Sequence, residues 1–204
     1  EVRVLGEDPM AKRSRAREQL GLMPQQYSLY GDLSIDENLT FFARLFGLSK
    51  QDFRERRERL LGITRLARFH DRRADALSGG MYKKLALACA LLHRPRVLLM
   101  DEPTNGVDPV SWRELWELIY ELVGEGMAVL VSTPYMDEAA RCHRVGLLHE
   151  GRIIVEGEPS VLAEQLEDEV YALSGGDRKA LENALDGRPF VLATSPQGSR
   201  LRVV

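Results

Sequence analysis

The chain has 204 residues, of which 44% are hydrophobic and 29% are charged, and its formal net charge is −3 at pH 7. This composition predicts a globular chain with one substantial core and a small appendage. The net charge argues against a protein whose main task is to bind nucleic-acid phosphates. The longest apolar run, residues 85–92, is far shorter than the roughly 20 residues that a membrane-spanning helix needs.

Extended segments flank a basic helix at the start of the chain. The pattern predicts a strand over residues 1–6, a helix over residues 9–20 and a second strand over residues 21–23. Pro24 ends the second strand, and Gln25 and Gln26 follow it. By themselves, two glutamines after a strand predict a polar turn.

Two helices are expected next. Ser34 and Glu37 match a capping box at the start of the first helix. Ser49 begins the second helix, which leads into a dense mixture of Arg and Glu at residues 54–59. Mixed charge at this density indicates either a solvated helix face or a docking surface for a partner.

The motif Leu77-Ser78-Gly79-Gly80 comes directly before a helix predicted over residues 81–93. Free N–H groups and the positive end of the helix dipole would face an anion there, and glycine lets the backbone approach that anion closely. The simpler interpretation is a turn. Lys83 and Lys84, in the first turn of this helix, are expected to be exposed.

An apolar strand, residues 97–100, ends in two adjacent carboxylates, Asp101 and Glu102. This arrangement lets one acid hold Mg²⁺ while the next orients a water molecule, as phosphoryl transfer requires. The simpler interpretation is a helix cap.

The rest of the chain continues the alternation of helices and strands. The pattern predicts a helix from Pro109 to Gly124, a strand over residues 127–131, closing strands around residues 151–157, a helix over residues 159–166, a strand from residue 169, a helix over residues 177–185, and strands near residues 190–192 and 201–204.

A second Leu-Ser-Gly-Gly, residues 173–176, is not followed by a carboxylate-ending strand, so it is expected to be a loop. Cys89 and Cys142 are interpreted as packing residues, because a metal site needs more ligands at closer spacing.

The order and spacing of these motifs, with Asp108-Pro109 behind them, resemble the signature motif, Walker B motif and D-loop of an ATP-binding cassette (ABC) ATPase. The stretch over residues 28–48 resembles the corresponding region of drug-exporter and lipid-exporter ATPases, where it forms the helical subdomain that meets the membrane-spanning subunit. The resemblance implies an α/β, P-loop NTPase-like core over residues 1–166, with a helical subdomain at about residues 34–93. Residues 167–204 are expected to form a small α+β appendage.

The resemblance also implies ATP and Mg²⁺ as bound groups and assigns roles to particular residues. Glu102 and Gln25 are the expected catalytic residues, with Gln26 the second choice for the glutamine, and Asp101 and Gln25 are the expected metal ligands. The residues expected to contact the nucleotide of an opposite cassette are Ser78, Gly79, Gly80 and Asp108.

The sequence departs from the family pattern at three places. No Gly-Lys dipeptide occurs in the 204 residues, so the Walker A loop is absent from them. Met81 stands where the signature commonly has Gln, and Pro134 stands where the switch histidine is expected. Proline has no side-chain donor for a phosphate, and His143 is too far along the chain to replace it. These departures predict an impaired site on a chain whose amino-terminal piece is missing, through truncation of the sequence or a genetic break.

The resemblance implies the ATP-binding and ATP-hydrolysing subunit of an exporter, peripheral at the cytoplasmic face of the inner or plasma membrane. Its expected partners are a multi-span membrane permease and a second cassette, identical or different, and nucleic acid is not among them. Two alternatives remain open: a non-catalytic regulatory cassette, and a soluble ABC ATPase that is not linked to transport. The transported substrate is not encoded here, because the membrane subunit selects it.

Overall fold

The structure of the protein is a computed structural model that describes residues 2–11, 15–26, 28–164, 170–175 and 177–204. The chain divides into two compact units, Glu1–Pro134 and Tyr135–Val204. Helices and strands alternate along it, as the sequence predicts for an α/β protein. Within the described residues, no helix is both long enough and apolar enough to cross a membrane.

A parallel sheet of three strands organises the first unit. Its strands are β1 (Leu20–Met23), β2 (Val97–Asp101) and β3 (Ala128–Ser132), in the spatial order β1-β2-β3. Met23 pairs with Met100, and Asp101 pairs with Ser132 at the end of the ladder. Because the strands are parallel, their carboxyl ends meet at one edge of the sheet, and the loops that follow β1, β2 and β3 leave from that edge.

Four helices accompany this sheet: α1 (Ile35–Leu45), α2 (Lys50–Ile63), α3 (Gly79–Leu91) and α4 (Pro109–Gly124). Each begins at a residue whose side-chain oxygen accepts a hydrogen bond from a backbone N–H of the first turn, and these caps are Ser34, Ser49, Ser78 and Asp108. Helix α3 packs against α1, α2, α4 and β1, and every residue from Lys83 to Leu91 is buried. Helix α3 is therefore the centre of the first unit.

The described residues of the second unit form an antiparallel pair, a three-stranded antiparallel sheet and three short helices. Its elements are α5 (Met136–Ala139), β4 (Val145–His149), β5 (Arg152–Gly157), α6 (Pro159–Glu164), β6 (Tyr171–Leu173), α7 (Arg178–Leu185), β7 (Thr194–Gln197) and β8 (Arg200–Val203). Strand β4 pairs with β5, and β8 lies between β6 and β7. In the second Leu-Ser-Gly-Gly, Leu173 ends β6, and Ser174 and Gly175 lie before α7 in the position expected for a loop; the last residue, Gly176, lies outside the described residues.

Two of the predicted elements at the start of the chain differ from the structure. Over the described residues 2–11 no strand forms, because Leu5 and Gly6 have φ angles of 52° and 83° and turn the chain so that Val4 bridges Glu7. Of the predicted helix over residues 9–20, the structure shows a 3₁₀ turn at Ala16–Gln19, and residues 12–14 lie outside the described part.

The strand expected near residues 190–192 is also misplaced. Gly198, with a φ of 61°, makes a tight turn before β8, and a hairpin pairs the residues nearest its turn first. Strand β7 therefore occupies Thr194–Gln197, and Phe190 and Leu192 remain exposed. The predicted boundary between residues 166 and 167 falls inside the segment 165–169, outside the described residues, and stays a prediction.

Candidate functional site

Gln25 and Glu102 meet at the edge where β1 and β2 end. The side-chain amide nitrogen of Gln25, Nε2, donates a hydrogen bond of 2.7 Å to Oε2 of Glu102. Asn105, three residues further on, donates to the same oxygen over 3.3 Å. Gln26, the second choice for the glutamine, is exposed, and the glutamine that contacts the acid is Gln25.

Asp101 occupies the last position of the β2 ladder, opposite Ser132. The Ser132 hydroxyl donates to Oδ1 of Asp101, and the Glu102 N–H donates to the Ser132 carbonyl over 3.0 Å. The backbone then turns sharply at Glu102, which has a φ of 42°. This left-handed conformation is uncommon for residues other than glycine. This turn directs the two adjacent acids differently: Asp101 is exposed, while Glu102 is half-buried against Gln25. We call Gln25, Asp101 and Glu102 the acid group.

The acid group suits a magnesium ion that also binds phosphate. Mg²⁺ prefers oxygen ligands, and it is usually held by one or two carboxylates together with phosphate oxygens and water. Asp101 offers an exposed carboxylate, and Gln25 donates through its nitrogen, which leaves its amide oxygen for a cation. Among the described residues there is no cluster of three or more His, Cys, Asp and Glu that could hold a metal by itself. The residues therefore fit Mg²⁺ that arrives with a nucleotide.

Lys83 lies against the acid group and is buried, contrary to the prediction that it is exposed. Its ammonium nitrogen donates to the carbonyl of Gln25 over 2.8 Å and to the carbonyl of Glu102 over 3.4 Å. Burial lowers the pKa of Lys83, and the charges of Glu102 and Asp101 act in the opposite direction.

Lys84 is buried as well, so the same prediction is wrong for it. Its ammonium pairs with Glu114 of α4, and this hydrogen bond lowers the pKa of Glu114. The prediction failed because it began the helix at Met81 and so placed both lysines in the first turn, where side chains are usually solvated; α3 begins at Gly79, and the lysines lie in its second turn. The apolar run that continues the helix, residues 85–92, is the signal that could have corrected it: a helix that is apolar all round lies in the core, and its lysines must reach partners there.

Ser78, Gly79 and Gly80 form the amino-terminal end of α3. Ser78 caps the helix by accepting a hydrogen bond of 3.4 Å from the Met81 N–H. Ser78 and Gly79 are exposed, whereas Gly80 is buried. The glycines also have a packing role, because a β-carbon on Gly79 would lie 2.8 Å from the carbonyl oxygen of Gly106, and one on Gly80 would overlap Ser111.

Asp108 caps α4 and lies beside the start of α3. Its Oδ1 accepts hydrogen bonds of 3.0 Å from the N–H groups of Val110 and Ser111, and bonds from Ser111 lower the pKa of the carboxyl group. Through the contact of Gly80 with Ser111, the two helix starts lie side by side. We call Ser78, Gly79, Gly80 and Asp108 the glycine group.

Pro134 follows β3 by two residues, beyond the edge at which the acid group lies, and it is exposed. It offers no side-chain donor and no backbone N–H. His143 belongs to the second unit, between α5 and β4.

The family described as "ABC transporter" matches residues 1–105. The protein named "Probable multidrug ABC transporter ATP-binding protein YbhF" of Escherichia coli is 42% identical over an alignment of 204 residues that covers 98% of this chain and 35% of YbhF. Nod factor export ATP-binding protein I of Paraburkholderia xenovorans is 41% identical over an alignment of 203 residues that covers 98% of this chain and 66% of that protein. The chain thus spans about a third to two thirds of the length of the relatives that it matches.

Solved structures with the same fold include two cassettes. CbiO1 from Clostridium perfringens, described as part of the ABC transporter complex cbiONQ, aligns with a TM-score of 0.67 and 30% identity, covering 74% of this chain and 62% of cbiO1. The cassette MJ0796, solved as a dimer in a post-hydrolysis state with ADP and Pi, aligns with a TM-score of 0.63 and 27% identity, covering 71% of this chain and 64% of MJ0796. Close to three quarters of this chain is thus built like part of such a cassette.

Proposed function

Because this chain belongs to the ABC transporter family, we propose that it is the ATP-binding and ATP-hydrolysing part of an exporter. It would couple nucleotide turnover to transport through a multi-span membrane permease, from a peripheral position at the cytoplasmic face of the inner or plasma membrane. The names of the relatives support this proposal, since one is named for multidrug transport and the other for Nod factor export.

The observation that carries the proposal is the hydrogen bond between Gln25 and Glu102 at the carboxyl edge of the sheet. Glu102 would orient the water that attacks the terminal phosphate of ATP and accept its proton. Gln25 and Asn105 hold the Glu102 carboxylate at one oxygen, which leaves the other oxygen for that water.

Asp101 and Gln25 would hold the magnesium ion of the nucleotide. When bound, Mg²⁺ supplies positive charge to the phosphate oxygens. The chain's own contribution is orientation: the Ser132 hydroxyl fixes the Asp101 carboxylate, and the turn at Glu102 keeps the second acid away from the first.

The glycine group would bind a nucleotide that a second cassette holds. Ser78 and Gly79 are exposed at the start of a helix, where unpaired N–H groups and the helix dipole attract phosphate. Asp108 would act by capping the neighbouring helix and holding the two helix starts together. The second cassette can be an identical copy or a different chain, and the dimeric cassette among the structural matches favours such a pair.

Pro134 favours an asymmetric pair. This chain's own site lacks the side chain that is expected after β3 to donate a hydrogen bond to phosphate, so hydrolysis there should be slow. The glycine group can still bind the nucleotide at the partner's site. A non-catalytic regulatory cassette is the second candidate, and the same proline favours it.

The test is to purify the complex that contains this chain and to measure turnover of Mg-ATP in lipid vesicles. Hydrolysis that responds to a co-purified multi-span membrane protein supports the exporter. Nucleotide binding without any contribution of this chain to turnover supports the regulatory cassette. Hydrolysis by a complex with no membrane protein supports a soluble ATPase and contradicts the exporter.

The 204-residue chain alone should bind Mg-ATP only weakly. The sequence contains no Gly-Lys dipeptide, and the loop that needs it supplies most phosphate contacts in enzymes of this kind. We expect a dissociation constant weaker than about 1 mM, or about −4 kcal/mol, by titration calorimetry. Tight binding by the isolated chain would show that other residues cradle the phosphates.

A further inference from the structure

Lys83 joins two loops that the sheet itself does not hold together. The ladder between β1 and β2 ends at the pair Met23 and Met100, and the next residue of the first strand, Pro24, has no N–H to continue it. Beyond that point, the ammonium of Lys83 donates to the carbonyls of both Gln25 and Glu102. A side chain of α3 thus takes the place of the missing ladder bonds.

The two carbonyls belong to the residues whose side chains form the hydrogen bond of the acid group. A backbone position determines where its side chain can reach, so a shift of either carbonyl would change the 2.7 Å contact between Gln25 and Glu102. The Glu102 carbonyl also accepts from the Asn105 N–H over 3.2 Å, which closes the turn that follows β2. Lys83 therefore supports both the glutamine and the turn that presents the glutamate.

The same helix carries the glycine group at its amino-terminal end. Lys83 lies one turn after Ser78, and its neighbour Tyr82 accepts a hydrogen bond of 3.2 Å from the Leu29 N–H, further along the loop after β1. The first two turns of α3 are therefore attached to the loop after β1 through Tyr82 and Lys83 and to the loop after β2 through Lys83.

We propose that Lys83 is a positioning residue that fixes the acid group to α3, so that movement of the glycine group changes the relative position of Gln25 and Glu102. Its catalytic consequence rests on the proposed function, whereas its structural consequence does not. A phosphate that approaches the start of α3 would thereby affect the acids of this chain without touching them.

Lys84 provides a matched control on the same helix. It is also a buried lysine with an anionic partner, but its ammonium faces Glu114 of α4 and makes no described contact with the acid group. Replacing either lysine by Met removes one buried cation and keeps a side chain of similar length. Both substitutions should lower the melting temperature, but only Lys83→Met should release the loops.

The first measurement is amide hydrogen exchange in the complex that contains this chain. Lys83→Met should raise exchange over residues 102–105 at least about fivefold, because the Glu102 carbonyl loses a partner, whereas Lys84→Met should leave it within about twofold. Lys83→Arg, which keeps a donor, should restore most of the protection. Equal exchange in the two Met variants would overturn the proposal.

The second measurement is turnover of Mg-ATP in a transporter that also carries Pro134→His, where the acid group is expected to work. Relative to that Pro134→His transporter, Lys83→Met should lower kcat about tenfold and leave KM within about twofold. Lys83→Arg should restore kcat to within about threefold. Lys84→Met should leave kcat within about twofold. An exchange effect without this kcat effect would make Lys83 a support of the loop only and overturn the positioning role. If neither the transporter nor its Pro134→His form hydrolyses ATP, the proposed function fails, and the exchange result alone decides whether Lys83 holds the acid group to α3.

Discussion

The acid group and the glycine group are held in different ways. Side-chain hydrogen bonds hold the acid group: Gln25 and Asn105 bind Glu102, and Ser132 binds Asp101. The glycine group is held by helix caps and by close packing around its glycines. The backbone of Gly80, for example, lies so close to Ser111 that there is no room for a side chain. Replacing an acid therefore changes chemistry and leaves the backbone in place, whereas replacing a glycine changes the packing of this chain before any ligand arrives.

This difference determines which substitutions can test the function of each group. A large residue at Gly79 would meet the Gly106 carbonyl in its own chain, so loss of activity would not show that a nucleotide binds there. Ser78 allows a cleaner test than the two glycines, because it is exposed and its side chain makes the cap of α3.

Ser78→Asp should lower ATP turnover by the assembled transporter about a hundredfold. Asp caps a helix as well as Ser does, so α3 should stay intact, but a carboxylate would stand where a phosphate is expected to bind. Ser49→Asp makes the same change at the cap of α2 and should leave turnover within about twofold. Turnover that survives Ser78→Asp would contradict nucleotide binding by the glycine group.

Gly80→Ala should destabilise the fold by about 1 to 3 kcal/mol, because its methyl group would overlap Ser111. For a chain of this size, each kcal/mol lowers the melting temperature by about 2 to 4 °C, which calorimetry measures. The loss should be smaller in a Ser111→Gly background, where the obstructing side chain is gone. An equal loss in both backgrounds would show that Ser111 is not the obstacle.

Pro134→His should raise turnover at this chain's own site about tenfold, which corresponds to about 1.4 kcal/mol of transition-state stabilisation. The reason is that histidine supplies a donor at the edge where the acid group lies, and proline supplies none. Steady-state kinetics of the assembled transporter measure the gain. Pro134→Ala removes the ring without adding a donor and should give no gain; a gain from alanine would point to backbone freedom.

Glu102→Gln should have the smallest effect, a loss of less than about threefold in the otherwise unchanged transporter, or about 0.7 kcal/mol. The glutamine side chain keeps an oxygen that can accept the hydrogen bond from Gln25. The site also already lacks the histidine that would donate a hydrogen bond to phosphate. In the Pro134→His background the same change should remove the gain. If Glu102→Gln costs more than Ser78→Asp in the unchanged transporter, the working site lies on this chain and the asymmetric pair is wrong.

Several local features were predictable because their causes lie within a few residues. The capping box of Ser34 and Glu37, the start of α4 at Pro109 and the ends of β1 and β2 all depend on neighbours in the chain, and the structure confirms them. The same holds for the α/β class, which follows from the alternation of periodic segments. The strand expected over residues 1–6 failed because a strand needs a partner, and local propensity does not supply one.

The order of the motifs also determined the family of this chain, since Leu77-Ser78-Gly79-Gly80 and the acids after β2 are local patterns with a known spacing. Only the tertiary structure decided how these motifs are connected. Gln25, Lys83 and Glu102 are separated by 58 and 19 residues, and parallel pairing of β1 with β2 under α3 brings them together. The apolar run over residues 85–92 indicates that α3 is buried, but the partners of Lys83 could not be predicted from it, because they depend on what packs over the helix, and that packing is decided by residues far away in the chain.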